Sequence, residues 1–128
     1  MKFLKPKSVL IVDDNAPIRR ILRRLFTTDE FCVPGEAANG QEAIERAEEL
    51  KPDLIVMDLS MPVMNGLQAA PVIHKLLPRV PIILFSEYAD VISERDRRST
   101  GASAVISKSA HATDLLDQAR ALVSQASS

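Results

Sequence analysis

Residues 52–66 read PDLIVMDLSMPVMNG, and they carry the clearest evidence for the architecture of this chain. The apolar run from Leu54 to Met57 is short and unbroken, which is typical of a strand buried on both faces of a parallel sheet. Asp58 follows at once, and a loop rich in proline and glycine comes after it. The sequence therefore predicts a carboxylate at the carboxyl end of a buried strand.

Similar apolar runs lie on both sides of this stretch, and helical patterns separate them. Further strands are predicted at residues 9–12, 31–33, 81–85 and 104–106. Helices are predicted at residues 16–26, 41–50 and 67–77, with a weak helix at 90–99 and a last one capped by Thr113. Five strands alternating with five helices predict an α/β fold, a doubly wound five-stranded parallel sheet with helices on both faces.

Single residues refine this prediction. Asn15 suits a helix N-cap and Pro17 suits a first helical turn. Pro34 cannot donate to a strand ladder, so the strand at 31–33 should lie at a sheet edge or end there. Pro71 should kink the third helix or shift its start. Cys32 lies in an apolar stretch and is expected to be a small buried hydrophobe.

Length and composition indicate one globular domain. The chain has 128 residues, of which 46% are hydrophobic and 26% are charged. Its formal net charge of -1 gives no overall attraction to nucleic acid or to an anionic membrane. No apolar run could cross a bilayer, and a cytoplasmic protein is expected. Residues 1–7 are interpreted as an N-terminal extension and 124–128 as a polar tail.

Polar side chains follow four of the predicted strands. In open α/β sheets, ligands bind outside the carboxyl ends of the strands, so these side chains should share one crevice. They are Asp13, Asp14, Asp58, Ser86 and Lys108. Three carboxylates that lie close together need a cation, and Mg²⁺ prefers oxygen ligands. A carboxylate can also act as a nucleophile towards phosphorus, which makes a phosphate or metal site the functional hypothesis.

Longer segments around these residues resemble the receiver domain of two-component response regulators. The most specific is the Asp-x-x-Met-Pro-x-Met-x-Gly run from Asp58 to Gly66. The other matching segments are residues 9–14, 38–43, 52–57, 81–86 and 101–108. Together they cover nearly the whole chain, in the family's usual order and spacing. The resemblance implies a flavodoxin-like sheet of strand order 2-1-3-4-5.

The resemblance also implies a role for each site residue. Asp58 would accept a phosphoryl group from a sensor histidine kinase or a histidine phosphotransferase. Asp13 and Asp14 would hold Mg²⁺ together with Asp58 and the backbone carbonyl of Ser60. Lys108 would pair with the phosphoryl group and Ser86 would bond to it. The chain would then switch the binding of a downstream protein partner, and it would catalyse only its own phosphorylation and dephosphorylation.

Three positions depart from the family pattern. Val105 stands where the family often has an aromatic residue coupled to the hydroxyl residue, so that coupling is in doubt. Ser109 replaces the usual proline after Lys108, which favours a trans peptide bond there. Pro71 inside the third helix is unusual. Tyr88, two residues after Ser86, is interpreted either as a cover for the site or as an exposed loop residue.

Two further sets of side chains bear on partners and ligands. Four arginines on the first helix, Arg19, Arg20, Arg23 and Arg24, could steer an acidic partner or could simply be solvated. His74 and His111 lack a ligand pattern and are expected at the surface. No DNA-reading element and no membrane insertion are predicted for this chain.

Three alternative functions stay open from the sequence. The chain could be the receiver part of a longer DNA-binding regulator. It could be a receiver-like interaction module that works without phosphate, for which Val105 gives a reason. It could be a phosphatase of the haloacid dehalogenase type with Asp13 as nucleophile, although that family usually has a second acid where Asn15 stands.

Overall fold

The computed structural model describes residues 5–126. Its five strands are β1 (Ser8–Val12), β2 (Cys32–Ala37), β3 (Leu54–Met57), β4 (Ile82–Ser86) and β5 (Ala104–Ser107). Its five α-helices are α1 (Ala16–Thr28), α2 (Gly40–Leu50), α3 (Gly66–Leu76), α4 (Glu94–Thr100) and α5 (Ala112–Ala126). All strand pairs are parallel and the order is β2-β1-β3-β4-β5, so the predicted doubly wound sheet of order 2-1-3-4-5 is confirmed.

Alternate residues of each central strand supply two hydrophobic layers, one on each face of the sheet. In β1, Val9 and Ile11 pack in the layer that includes helices α1 and α5. Leu10 and Val12 pack in the opposite layer, with α2 and α3. All four side chains are at most 1% exposed. The period of two along a strand explains why an uninterrupted apolar run was needed in a strand covered on both faces.

Short polar side chains fix the starts of four helices. Asn15 accepts the Ile18 N–H at the start of α1, as predicted. Asn65 and Gln68 form a reciprocal capping box at the start of α3. Asn39 and Ser93 cap α2 and α4 by accepting the N–H groups of Glu42 and Asp96. These caps satisfy amides that have no partner inside the helix and set where each loop ends.

The edge strand differs from its prediction in two ways. β2 lies at the sheet edge, which confirms one of the two possibilities predicted from Pro34, but it extends beyond the predicted residues 31–33 to Ala37. A missing N–H is tolerated there because the strand is at the edge and its register against β1 shifts between Ser8 and Leu10. Cys32 is exposed, so its expected burial was wrong. Its neighbours Phe31 and Val33 point inward and take the buried positions of this strand.

Several helix predictions also need correction. Thr113 does not cap α5, because that helix already begins at Ala112. α5 continues to Ala126, so residues 124–126 of the expected polar tail are helical, whereas 127–128 lie outside the described residues, as do 1–4 of the N-terminal extension. The weak helix at 90–99 is a 3-10 turn, Ala89–Val91, followed by the shorter α4. Within α1, Leu22 and Phe26 are buried, whereas Ile21 is 62% exposed.

Pro71 lies inside α3 and does not end it. The helix runs on to Leu76, and Ala70 and Ile73 on either side of the proline are fully buried. Burial of these neighbours outweighs the missing amide donor at position 71. Within residues 5–126, none of the helices combines the length and the apolarity that a bilayer crossing requires.

Candidate functional site

Three carboxylates meet at the carboxyl edge of the sheet. Asp13 follows β1 and Asp58 follows β3, and these strands are neighbours, with Val12 paired to Met57. Backbone bonds hold both residues in place: the Asp58 N–H donates to the Val12 carbonyl at 2.9 Å and the Asp13 N–H donates to the Ala37 carbonyl at 3.0 Å. Asp14 completes the group, and one oxygen from each carboxylate lies within 4.8 Å of the others.

Lys108 connects this group to β5. Its ammonium donates to Asp13 Oδ2 at 2.8 Å and to Asp58 Oδ2 at 3.1 Å. Its backbone N–H donates to the Ser86 carbonyl at 3.0 Å, which ties the loop after β5 to the end of β4. The peptide bond between Lys108 and Ser109 is trans, as expected for a non-proline residue. The structure thus brings together four of the residues predicted from sequence: Asp13, Asp14, Asp58 and Lys108.

Burial sets the electrostatics of this cluster. Asp13 is 1% exposed and Asp58 is 7% exposed, whereas Asp14 is exposed. Burial raises the pKa of the Asp58 carboxyl above its ordinary value of 3.8, and the nearby Asp13 charge adds to the rise, although the Lys108 ammonium opposes it. Burial alone would lower the pKa of Lys108, but its bonds to Asp13 and Asp58 outweigh burial and raise it. Lys108 is therefore a cation at neutral pH.

Oxygen atoms and negative charge make the cluster suitable for a hard divalent cation. Its three carboxylates and one ammonium give a formal charge of 2− when all are ionised. Mg²⁺ takes carboxylate and carbonyl oxygens and keeps water on its other positions, and the exposed Asp14 leaves room for such water. The donor set thus fits Mg²⁺. Ser60, whose carbonyl was also predicted as a ligand, is exposed, and its N–H donates to Asp58 Oδ1 at 3.3 Å.

Ser86 lies on the next strand and is fully buried at the end of β4. Its hydroxyl accepts the Tyr88 N–H at 3.1 Å, which holds the start of the loop that leads to the 3-10 turn. Tyr88 itself is 56% exposed, so its side chain does not bury the site. Val105 on β5 is half-buried and packs against the layer that contains α2 and α3. The hydroxyl residue therefore has a backbone partner, and no aromatic ring stands at position 105.

Gly66 is needed for the shape of the loop after Asp58. A Cβ atom at this position would lie 2.3 Å from the Asp58 carbonyl oxygen and 3.0 Å from Leu59 Cα. The Gly66 N–H also donates to the Leu59 carbonyl at 2.8 Å. The start of α3 thus packs directly against the backbone of Asp58. This contact explains the glycine that closes the sequence run from Asp58.

Sequence reasoning missed one group beside the site. Arg19 and Arg23 were interpreted as part of an exposed arginine face, but their Nε atoms donate to the two oxygens of Glu36, at 2.9 and 2.6 Å. Arg19 Nη1 also donates to the Asp13 carbonyl at 2.7 Å. Arg20 and Arg24 do remain exposed. The spacing of four residues in α1 hints that Arg19 and Arg23 share a face, but no local pattern identifies Glu36 as their partner.

Both histidines are at the surface, as predicted. His74 and His111 are exposed and lie apart from the carboxylate cluster in the chain. The ring of His74 covers Gly101, where a Cβ atom would come within 2.6 Å of it. Gly101 has a φ of 73°, which only glycine adopts without strain, and it ends α4. This contact joins α3 to the end of α4.

Comparison with known proteins gives a consistent result. The family model described as "Response regulator receiver domain" matches residues 9–120. The chemotaxis protein CheY of Thermotoga maritima is 49% identical over 80 residues, which are 62% of this chain and 67% of that protein. Other curated relatives are longer: the chain spans 22% to 56% of the length of several methylesterases/glutaminases and of a VraR response regulator.

Solved structures agree with this result. The response regulator domain of Thermotoga maritima CheB has a TM-score of 0.86 and 32% identity, with 94% of this chain and 98% of that one covered. A chain of the CheX-CheY-BeF3-Mg+2 complex from Borrelia burgdorferi has a TM-score of 0.84 and 26% identity, with 92% of this chain and 90% of that one covered. Both likenesses extend over more than nine tenths of this chain.

Proposed function

Because the chain belongs to the response regulator receiver domain family, we propose that Asp58 accepts a phosphoryl group and that this event switches the binding of a protein partner. The observation that carries the proposal is the cluster of Asp13, Asp14 and Asp58 within 4.8 Å, with the Lys108 ammonium bonded to two of them. The donor in this proposal is a phosphohistidine on a sensor kinase or on a histidine phosphotransferase. The proposal includes a cytoplasmic location for this protein, where it would meet that donor.

The transfer itself needs little covalent chemistry from the protein. An oxygen of Asp58 forms a bond to phosphorus while the bond from phosphorus to the donor imidazole breaks, and the imidazole keeps the electron pair and takes up a proton. Asp58 Oδ1 accepts the Ser60 N–H and Oδ2 accepts from Lys108, so the carboxylate is oriented before the donor arrives. The main contribution of the protein is therefore positioning and charge neutralisation.

Two cations serve this neutralisation. Mg²⁺, held by Asp13, Asp14, Asp58 and the Ser60 carbonyl, would supply positive charge to offset the carboxylates and the incoming phosphoryl oxygens. Lys108 is the resident cation, and its bond to Asp58 leaves it within reach of a group attached there. The Borrelia burgdorferi CheY complex, which contains BeF3 and Mg+2, supports this assignment by similarity.

Switching begins at Ser86 in this proposal. The buried Ser86 hydroxyl now accepts the Tyr88 N–H, and a phosphoryl group on Asp58 would attract the hydroxyl proton. Movement of Ser86 would pull on the loop before the 3-10 turn and change the surface around α4 and β5. Valine at position 105 has no aromatic ring that could change rotamer. In this proposal the hydrogen bond between the Ser86 hydroxyl and the Tyr88 N–H would therefore transmit the movement to the surface.

The phosphoryl donor is proposed to dock on α1. Ile21 is 62% exposed at the centre of this helix, and a groove between α1 and the loop after β5 leads from it to Lys108. Arg20 and Arg24 line a second depression, which shares Ile21 and Leu25 with this groove, and they add positive charge beside it. A helical donor with an apolar stripe and acidic flanks would match this surface.

One alternative has support of its own. The chain spans 56% of a VraR response regulator, so it could act as the receiver part of a longer regulator that passes the change to an attached domain. In both proposals, the switch of partner binding and the receiver part of a longer regulator, the phosphoryl group is attached to Asp58. The phosphate-independent module, by contrast, predicts partner binding that does not respond to beryllofluoride, a mimic of the phosphoryl group.

Intact-mass analysis tests the proposal. The chain is incubated with acetyl phosphate and Mg²⁺, and the mass should rise by one phosphoryl group. Asp58→Asn should abolish the gain, whereas Asp53→Asn, which changes a carboxylate at the opposite end of the same strand, should leave it unchanged. Equal labelling of the Asp58→Asn variant would show that the acceptor has been assigned to the wrong residue.

A further inference from the structure

Arg19 joins the edge strand to the backbone of a site carboxylate. We propose that Arg19, held by Glu36, is a positioning residue that fixes the peptide between Asp13 and Asp14 and so raises the affinity of the site for a divalent cation. The inference rests on the proposed function, because it concerns the same cation site. It assigns to Arg19 a role inside the molecule instead of at a partner surface.

The geometry of the guanidinium supports this role. Arg19 Nη1 donates to the Asp13 carbonyl oxygen at 2.7 Å, and Nε donates to Glu36 Oε1 at 2.9 Å. The side chain of Arg19 is 21% exposed and that of Glu36 is 26% exposed, so solvent screens this ion pair only in part. A planar guanidinium offers several donors in fixed directions, which lets it hold a carboxylate and a carbonyl at once.

Asp13 has other partners, and Arg19 is the one that acts on its carbonyl. Asp13 Oδ1 accepts the Asn15 N–H at 2.9 Å, Oδ2 accepts from Lys108 at 2.8 Å, and its own N–H donates to the Ala37 carbonyl. These hydrogen bonds hold the carboxylate and the amide, and the one from Asn15 partly restrains the peptide that follows, but none of them reaches the Asp13 carbonyl oxygen. The hydrogen bond from Arg19 adds the restraint on that oxygen.

Asp14 is the residue that depends on this peptide plane. The Asp13 carbonyl and the Asp14 N–H lie in one plane, so fixing the oxygen also fixes the direction in which Asp14 leaves β1. Asp14 is exposed, and among residues 5–126 its carboxylate has no hydrogen-bond partner. Orientation of this ligand before binding must therefore come from the backbone. A site with an oriented second carboxylate loses less entropy when a cation binds.

Glu36 acts as the anchor of Arg19. Burial alone would raise the pKa of Glu36, but the bonds from Arg23 and Arg19 hold it below its ordinary value of 4.5, so the carboxylate stays charged. Glu36 lies on β2 and pairs with Ile11 of β1. The anchor is thus fixed to the same sheet that delivers Asp13.

Arg23 supplies a matched control. Its Nε donates to the other oxygen of Glu36 at 2.6 Å, as Arg19 does to the first. Its Nη1, however, donates to the carbonyl of Val33, which lies in β2 and away from the carboxylate cluster. Arg19→Lys and Arg23→Lys therefore each remove one guanidinium hydrogen bond to Glu36 and keep the positive charge. Only Arg19→Lys also removes the hydrogen bond from Nη1 to the Asp13 carbonyl.

Titration calorimetry with Mg²⁺ tests the inference. For Arg19→Lys we expect the dissociation constant to rise about tenfold, which is the low end of what supporting partners of metal ligands contribute. For Arg23→Lys we expect a change of less than about twofold. Urea unfolding should show similar losses of stability in both variants, which separates positioning from folding.

A kinetic measurement gives an independent readout. In labelling by acetyl phosphate, the Mg²⁺ concentration at half-maximal rate should rise in Arg19→Lys by the same factor as the dissociation constant. The rate at saturating Mg²⁺ should stay close to that of the original chain, because Arg19 touches no reacting group. Equal shifts in both variants, or no shift in Arg19→Lys, would overturn the inference. Failure of the unchanged chain to bind Mg²⁺ or to label would instead overturn the proposed function.

Discussion

Replacing Asp58 with asparagine should stabilise the folded chain when divalent cations are removed. The side chain of Asp58 is 8% exposed and lies within 4.8 Å of two other carboxylates, while Lys108 is the cation bonded to it. Asparagine has nearly the same shape but no charge, so it removes both the repulsion and much of the cost of burying an ion.

The size of the effect follows from these distances. At an effective dielectric constant of about 20, the repulsion from Asp13 across at most 4.8 Å costs about 3.5 kcal/mol or more. Asp14 is exposed, so screening reduces its share to about 1 kcal/mol. The attraction between Lys108 Nζ and Asp58 Oδ2, which are 3.1 Å apart, offsets this repulsion by about 5 kcal/mol at the same dielectric constant. The repulsion and the attraction nearly cancel, so the main remaining cost is the desolvation of the Asp58 carboxylate. We therefore expect Asp58→Asn to raise the free energy of unfolding by about 2 kcal/mol.

Urea unfolding followed by circular dichroism measures this gain. With EDTA present at neutral pH, the midpoint should rise by about 1 M urea, for an m-value of about 2 kcal/mol per M. Because burial raises the folded-state pKa of Asp58, the cost of its charge is fully present above that pKa and is lost as the pH falls below the ordinary value of 3.8. The advantage of Asp58→Asn should therefore shrink on acidification. It should also shrink in excess Mg²⁺, because the proposed binding of Mg²⁺ to the folded original chain would stabilise that chain.

An exposed carboxylate serves as the control for this prediction. Asp90→Asn changes the net charge by the same amount on an exposed residue and should leave the midpoint nearly unchanged. If Asp58→Asn unfolds at the same or a lower urea concentration than the original chain in EDTA, the electrostatic reasoning is refuted.

Three backbone positions give further predictions, each checked by urea unfolding. Gly66→Ala should lower stability by about 3 kcal/mol, because the new Cβ would meet the Asp58 carbonyl oxygen at 2.3 Å; normal stability would show that the loop can move aside. Pro71→Ala should raise stability by about 2 kcal/mol, since it restores a helical amide donor inside α3; a loss would mean that the proline ring packs better than alanine. Val63→Asn should raise stability by about 1 kcal/mol, because Val63 is 83% exposed with a φ of 66°, which is strained for a branched residue; no gain would contradict this. Val91→Asn, at another exposed valine that lacks a positive φ, should show no such gain.

The central strands could be predicted because both faces of the sheet are covered. Runs such as Leu54 to Met57 must then be apolar throughout, and a run of this kind is visible in the sequence without any partner. The pattern by itself gave five parallel strands, whereas their order came from the resemblance to a family. The grouping of Asp13 and Asp58 followed from strand ends, since neighbouring parallel strands place their carboxyl ends together.

The errors came from features that depend on contacts distant in the chain. Cys32 looks buried in its local stretch, but β2 is an edge strand and one of its faces meets solvent. The bond of Arg19 to Glu36 spans 17 residues of sequence and leaves no periodic signal. The link from Ser86 to the Tyr88 N–H is a loop detail that propensities do not specify. These contacts are what a three-dimensional structure adds to the sequence.

Pro34 on the β2 edge affects how the chain behaves at high concentration. An exposed edge strand can template the addition of strands from other copies, which is a common route to fibres and amorphous aggregates. Pro34 offers no N–H to an incoming strand, and the shift in register against β1 beside it disturbs the regular spacing that stacking requires. This side of the sheet is thus protected against runaway polymerisation even when many copies crowd together.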